Sequence, residues 1–462
     1  MKGNHHENTF LDAVCSLIKV KAVHKNIRKE LRAHIDDQKQ AYRAKGISEE
    51  EAAAKAIEQM GDPLQIGKEL NEAHKPLVEW PVLFTIAILT VVSGVMQYVF
   101  TMVGTHSGDD LLMSLFRNFL LYAPIGVLVF TVAYFFDYTL IKKHAWKCYM
   151  AYLLVMAVIF GTSPAINGAL ADAKYAALLF VPVYAGLVYD FRNKGYSGII
   201  FSGIVLVPAV VFTILIPSAS TVLLIICTCL AILTSAIKKG YFSCNIIVGL
   251  AIVYVPAIMT IMLLLLTLRS YQTARLVSML TQYADPMGAG YLPELLRTIV
   301  TNAKPFGEIL IENQPLEQLM PAPHVDLSFA FMIGKLGYIP ALAAVALIFF
   351  LLYKLYRFTK HQRNSFGRLV SLGGLCIIFM QVISALLFNT GVYTIVFGIP
   401  PFLSYGAKQF AFTMGLLGLI LSVRRRTNIV EDTFTKTHRT TFITFEQGKI
   451  IIDIGSSLSK KP

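Results

Sequence analysis

Ten stretches of this chain are apolar over the length a transmembrane helix needs, about 20 residues for about 30 Å of hydrocarbon. They cover residues 80–103, 114–136, 147–164, 174–191, 197–216, 221–237, 246–268, 327–353, 369–390 and 405–423. That number leaves little room for another architecture. With 55% apolar and 15% charged residues and a mean hydropathy of +0.60, the chain lacks the composition of a soluble globular protein. The expected fold class is an all-α polytopic membrane protein with about ten transmembrane helices.

The placement of Lys and Arg orients these helices, because short cytoplasmic loops hold the positive charge. With the N-terminus inside, the inner loops contain Lys142, Lys143 and Lys147, then Arg192 and Lys194, then Lys238 and Lys239. A fourth contains Lys354, Arg357, Lys360, Arg363 and Arg368, and the tail opens with Arg424, Arg425 and Arg426. The short outer segments 104–113, 217–220 and 391–404 have no Lys or Arg. An even number of spans in the cell membrane, with both termini cytoplasmic, follows.

The formal net charge of +13 raises the question of nucleic acid. The basic residues cluster at membrane edges, where they set topology and meet anionic lipid, and no basic stripe with interleaved aromatics lies in a soluble region. Nucleic acid is therefore not an expected partner; membrane lipids are. The six cysteines, Cys15, Cys148, Cys227, Cys229, Cys244 and Cys376, have no metal-ligand spacing and read as small packing residues. No cleavable signal peptide is expected, since the first long apolar run begins near Trp80.

Two features interrupt the apolar pattern. Gly398, Ile399, Pro400, Pro401, Phe402, Leu403, Ser404, Tyr405 and Gly406 break it just before the last span. Two prolines remove two backbone donors and the glycines permit tight turns, so this segment is not a regular helix. Irregular backbone at membrane depth survives only inside protein or beside a water-filled cavity. The second feature is one large outer loop between spans 7 and 8, about residues 269–325, in a chain whose other connections are short. It ends in Pro321, Ala322, Pro323, His324, Val325, Asp326, Leu327, Ser328, Phe329 and Ala330.

Both segments resemble signatures of the bacterial shape, elongation, division and sporulation (SEDS) family, which includes RodA, FtsW and SpoVE. The family's broken segment reads roughly Gly, Ile, Pro, Leu, Pro, Phe, Leu, Ser, Tyr, Gly, Gly. Pro401 through Gly406 match it, Pro400 stands where the Leu would be, and Ala407 replaces the last Gly. The family's loop junction reads roughly Pro, Glu, x, His, Thr, Asp, Phe, Ile, Phe, Ala, and Asp326 aligns with the aspartate assigned there as catalytic. His324, Phe329 and Ala330 align with their counterparts. Arg275, Leu276, Asp285, Pro286 and Gly288 to Tyr291 resemble the residues opening the family's large loop. Phe366, Gly367, Arg368, Gln381, Asn389 and Gly391 resemble its penultimate span and flanks.

The chain also departs from the family. Two glutamates commonly follow the catalytic aspartate; Gly334 and Lys335 stand in their place. A family Pro, Asp, x, Gly, Thr motif appears as Pro217, Ser218, Ala219, Ser220 and Thr221, without its acid. Lys174 takes the position of a family lysine, but the preceding residues do not reproduce that motif. The resemblance covers about residues 80–426 and describes a divergent member.

The resemblance implies a peptidoglycan glycosyltransferase that polymerises lipid II, a disaccharide pentapeptide on undecaprenyl diphosphate, at the outer membrane surface. That chemistry asks for a base to take a proton from the acceptor sugar's 4-hydroxyl, and a carboxylate with a raised pKa at the membrane edge suits it. An aspartate before an apolar span is by itself an ordinary interfacial cap; the aligned flanks single out Asp326. Arg275 and Lys174 are candidates to meet the departing diphosphate, and His324 and Ser404 complete the candidate substrate-binding set. Ser404 and Tyr405 otherwise read as structural members of the broken segment. A divalent cation, Mg or Mn, is an expected helper, its ligands unknown; no organic cofactor is expected. A class B penicillin-binding protein, a single-span transpeptidase, is the implied partner.

Residues 1–77 form a separate unit. Ser48 and Glu51 make a capping box before a helix that Gly61, Asp62 and Pro63 stop, between an earlier helix over 22–44 and a later one over 64–74. This pattern resembles the three-helix cytoplasmic domain that prefixes some bacterial permeases. The membrane domain is then 78–426, and 427–462 a cytoplasmic tail in which residues 441–454 alternate about Gln447 and Gly448 as a hairpin would. Two other function classes stay open: a non-catalytic scaffold of a wall-synthesis complex, favoured by the missing acids, and a transporter of lipid-linked sugar, which would need ionisable groups within the spans.

Overall fold

The computed structural model describes residues 2–107, 110–162, 165–166, 169–170, 173–215, 218–266, 288, 290–392, 400–430, 443–446 and 449–452. The chain divides into two compact units, Met1–Glu79 with Arg424–Thr433, and Trp80–Val423 with Phe434–Pro462.

The first unit holds four helices where the sequence reading expects three: α1 (Lys2–Ser16), α2 (His24–Ala44), α3 (Glu49–Met60) and α4 (Pro63–Ala73). The addition is α1, whose Phe10, Leu11 and Val14 recur at helical spacing and join Ile27, Leu31, Ile35 and Ala56 in the core. Buried Glu7 on α1 accepts a bond from Arg32 Nε of α2 at 3.0 Å. The expected caps are present: Ser48 Oγ accepts from the Glu51 N–H at 3.4 Å, and Asp62 Oδ1 accepts from the Leu64 N–H at 3.0 Å. The described residues that follow the last span, Arg424 to Val430, belong to this unit. Arg424 Nε donates to Glu79 at 2.8 Å, the Leu77 N–H donates to the Arg425 carbonyl at 3.1 Å, and Ile429 packs on the core.

The second unit runs α5 (Trp80–Ser107), α6 (Asp110–Phe135), α7 (Thr139–Lys143), α8 (Ala145–Thr162), the two-residue strands β1 (Ala165–Ile166) and β2 (Ala169–Leu170), then α9 (Ala173–Leu178), α10 (Phe180–Asp190), α11 (Gly195–Leu215), α12 (Ala219–Lys238) and α13 (Ile246–Leu266). Beyond the large loop come α14 (Tyr291–Thr301), α15 (Leu316–Leu319), α16 (Ser328–Leu336), α17 (Tyr338–Lys360), α18 (Ser365–Asn389) and α19 (Ala407–Arg425). Among the described residues, seven of these, α5, α6, α8, α11, α12, α17 and α18, are long and apolar enough to cross a membrane. Helix α13, the α9–α10 pair and α19 occupy the other three expected spans.

Two expected spans are split. Residues 174–191 form α9 and α10, and 327–353 divide at Gly337, whose φ of +102° ends α16 and starts α17 in a new direction. The tail alternation does form a hairpin, β3 (Ile443–Glu446) with β4 (Lys449–Ile452), in a register that sets Glu446 opposite Lys449.

Helix α18 is the pillar of this unit, two-thirds buried along its most apolar window. Its glycines let neighbours approach: a Cβ at Gly373 would lie 2.6 Å from Val181 of α10, and one at Gly374 2.9 Å from Ile420 of α19. The C-terminal end of this pillar carries the residue that fixes the candidate site.

Candidate active site

Asp326 stands two residues before α16, at the end of the large loop. The backbone around it is held from two sides. Asn389, the fully buried last residue of α18, donates through Nδ2 to the Asp326 carbonyl at 2.9 Å and to the Ala385 carbonyl at 2.8 Å, while its Oδ1 accepts from the Ala330 N–H at 2.9 Å. It thus satisfies a first-turn N–H of α16 and ties the aspartate's peptide to the pillar. On the other side, the Tyr405 N–H donates to the His324 carbonyl at 2.7 Å, and Asn118 Nδ2 of α6 reaches the Tyr405 hydroxyl at 3.4 Å. The His324 ring packs edge-on against Phe100 and Tyr405, with centroids 6.3 and 6.1 Å apart. Phe100 in turn stacks on Phe331 of α16 at 4.9 Å.

The broken segment therefore does structural work beside the site. Phe402 adopts φ +67°, a left-handed conformation that costs a non-glycine residue energy. Ser404 is buried and donates its hydroxyl to the Pro400 carbonyl at 2.7 Å, so it braces the turn. The hydroxyl expected to meet substrate is engaged within the segment, and Tyr405 next to it forms the contact with His324.

Lys174, in the first turn of α9, brings the second charge. Its Nζ lies 4.9 Å above the Tyr175 ring, and that ring stands 6.0 Å from Phe412 of α19. Asp326 is exposed, yet the protein packed near it removes enough water to push its pKa above the usual carboxylate value, and the Lys174 charge acts against that rise. Among the described residues, the two groups make no ion-pair contact. Of the remaining sequence candidates, Arg275 lies outside the described residues, as do Asp285 and Pro286.

The substituted acid positions have a physical explanation. Gly334 lies against the end of the Leu316 side chain, which would have to move to admit a Cβ. Lys335 pairs with Glu308 at 2.6 Å and with Glu317 at 3.6 Å, both from the large loop. The acids thus come from the loop and the base from the helix, and the loop is clamped onto α16.

Among the described residues no three His, Cys, Asp or Glu side chains converge on a common point. Mg²⁺ is commonly held by one or two carboxylates together with substrate phosphates, and Asp326 is a carboxylate of that kind.

The sequence motifs point to Asp326, His324 and Lys174, while Asn389 stands in them only as a flanking match and Asn118 lies outside them. An amide at the end of an apolar span, beside a loop bearing an acid, was the available signal.

These features define a class: a polytopic helical membrane protein with an exposed carboxylate at the end of its large loop. The family model for FtsW, RodA and SpoVE, described as cell cycle protein, matches residues 80–429, and the chain belongs to that family. The peptidoglycan glycosyltransferase MrdB of Escherichia coli is 27% identical over 179 residues, 38% of this chain and 48% of that protein. A probable peptidoglycan glycosyltransferase FtsW of Geobacter is 23% identical over 329 residues, 66% of this chain and 85% of that one. The chain spans about half the length of MrdB and less of Bacillus subtilis stage V sporulation protein E, 42%. A solved structure described as "Structural coordination of polymerization and crosslinking by a peptidoglycan synthase complex" contains a chain with the same fold, at a TM-score of 0.59 and 20% identity over 76% of this chain and 98% of that one.

Proposed function

We propose that this protein is a peptidoglycan glycosyltransferase that joins lipid II units into glycan strands at the outer face of the cytoplasmic membrane, with both of its termini cytoplasmic. The observation that carries the reading is Asp326: a carboxylate with a raised pKa, fixed by Asn389 through its own peptide and facing Lys174 without being consumed by it. A base with a pKa nearer neutrality transfers protons efficiently at physiological pH. In the reaction, Asp326 takes the proton of the acceptor 4-hydroxyl as that oxygen bonds to the donor's anomeric carbon. The bond from that carbon to the diphosphate breaks on the opposite face, so the configuration inverts. Lys174 lies where an ammonium offsets charge growing on the departing diphosphate. A divalent cation, on this reading, travels with the diphosphate, and no step is assigned to it.

The partner proposed is a single-span transpeptidase of the class B penicillin-binding type. Its support is an apolar groove of about 380 Å³ along α17 and α18, lined by Phe349, Leu352, Tyr353, Tyr356, Leu375 and Phe379 among others. A transmembrane helix presenting small residues could pack there. A scaffold reading draws on Lys335, a cation where the family has an acid. The test is polymer formation from fluorescent lipid II by the purified protein in liposomes, with Mg²⁺ or Mn²⁺, alone and with candidate transpeptidases. Polymer supports the enzyme; intact protein that binds lipid II and yields none under every pairing supports the scaffold.

A further inference from the structure

The large loop touches the first turn of a membrane span. The Tyr338 N–H of α17 donates to the Lys304 carbonyl at 2.9 Å and the Ile339 N–H to the Pro305 carbonyl at 3.2 Å. These two loop carbonyls satisfy donors that a helix start otherwise leaves open. Gly337 makes the approach possible: with φ +102° it has no side chain, and a Cβ there would lie 2.5 Å from the Pro305 oxygen and 2.7 Å from the Phe306 Cα. The Gly307 and Ile309 N–H groups then donate to the Leu336 and Gly334 carbonyls, at 3.0 and 2.9 Å, so the turn is fastened to the end of α16.

Phe306 projects from this fastened turn and is 65% exposed. Tyr338, Ile339 and Leu342, on the first turns of the adjoining span, are exposed as well. A phenyl ring left open in water would be costly. Here it lies beside Gly337, next to the exposed apolar side chains that open α17. Lys304, two residues before it, is exposed and donates from Nζ to the Glu308 carbonyl at 3.0 Å, as a cation does at a headgroup boundary.

We infer that the turn over residues 304–307 rests in the headgroup layer of the bilayer, with Phe306 inserted beside the start of α17, so that the loop ending at Asp326 is anchored to a lipid surface. The inference is independent of the reaction proposed above. It gives the loop a fixed height over the membrane, the height at which any lipid-linked headgroup must be met.

The test uses tryptophan as a depth probe, because the chain has only Trp80 and Trp146. Phe306→Trp, Ile339→Trp and Gln318→Trp are each made with Trp80→Phe and Trp146→Phe, reconstituted, and titrated with lipids brominated near the headgroup or near the chain ends, and with aqueous iodide. The account expects Phe306→Trp to lose emission to shallow bromines as strongly as Ile339→Trp, with little loss to deep bromines or iodide. Gln318→Trp, on an exposed loop residue, should show the reverse. Emission at residue 306 that iodide quenches as fully as at 318, or that neither quencher reaches, would overturn the inference, the second result pointing to a protein partner. Should the triple variants aggregate, the same comparison is read by difference with both native tryptophans kept.

Discussion

One short helix, α16, carries a lysine and acid cluster at each end, and the two behave differently. At its C-terminal end, Lys335 is in direct contact with Glu308 and close to Glu317, three side chains that are at most partly exposed and mutually engaged. At its N-terminal end, Asp326 and Lys174 influence each other without an ion-pair contact among the described residues, and partial desolvation holds the carboxyl above its usual pKa. Charges already paired hold a loop in place. A charge kept apart, on a peptide fixed by Asn389, is available for chemistry. The family acids missing here and the acid retained therefore belong to separate tasks.

Substitutions at four positions test whether the two clusters are distinct. The largest effect is expected for Asp326→Asn, a loss of polymerisation of about a thousandfold or more, measured as initial rate on lipid II. Folding should survive. With a folded-state pKa above the unfolded one, Asp326 binds more protons in the native state, so its contribution to stability falls as pH rises through that window and the amide removes the loss. Thermal unfolding at neutral pH should therefore be unchanged or slightly higher.

Asn389→Leu comes next. It removes the partners of the Asp326 carbonyl and the Ala330 N–H, and misplacing the carboxylate should lower the rate about a hundredfold. Asn389→Asp, which keeps the acceptor for Ala330, should retain more activity, and a kcat loss larger than the change in KM would mark positioning over substrate binding.

Lys174→Gln should lower the rate at neutral pH about tenfold. It should also move the acidic limb of the pH–rate profile to higher pH, because the charge that opposes the rise in the Asp326 pKa is gone. An unshifted limb would separate Lys174 from the carboxylate.

The smallest effect belongs to Lys335→Ala. A partly exposed ion pair contributes about 1 kcal/mol or less, so unfolding should shift modestly and activity within a few fold. A loss matching that of Asp326→Asn would erase the distinction between the two clusters.

Much of this was legible in the sequence because hydrophobic length, caps and turn residues act locally. Ser48 and Asp62 cap where their spacing says, and the hairpin from 443 pairs in the register that its alternation implies. The split at Gly337 was not read, since an apolar run looks continuous whether or not one glycine turns its backbone to φ +102°. Helix α1 was missed because polar residues surround its few apolar ones. In the site, Asp326, His324 and Lys174 could be named from motif flanks. Their assembly could not: Asn389 is 63 residues from Asp326 along the chain, and Asn118 is 287 from Tyr405, and no local pattern announces such bonds. The pairing of Lys335 with Glu308 and Glu317 was equally hidden, so the sequence showed the missing acids but not their replacements.

The most direct test of the central claim is glycan synthesis from fluorescent lipid II by the parent protein and by Asp326→Ala, reconstituted in parallel at equal, verified insertion. The account predicts a ladder of polymer from the parent and none from the variant, with lipid II still bound by both. Polymer from Asp326→Ala at the parent's rate would contradict it and remove Asp326 as the base.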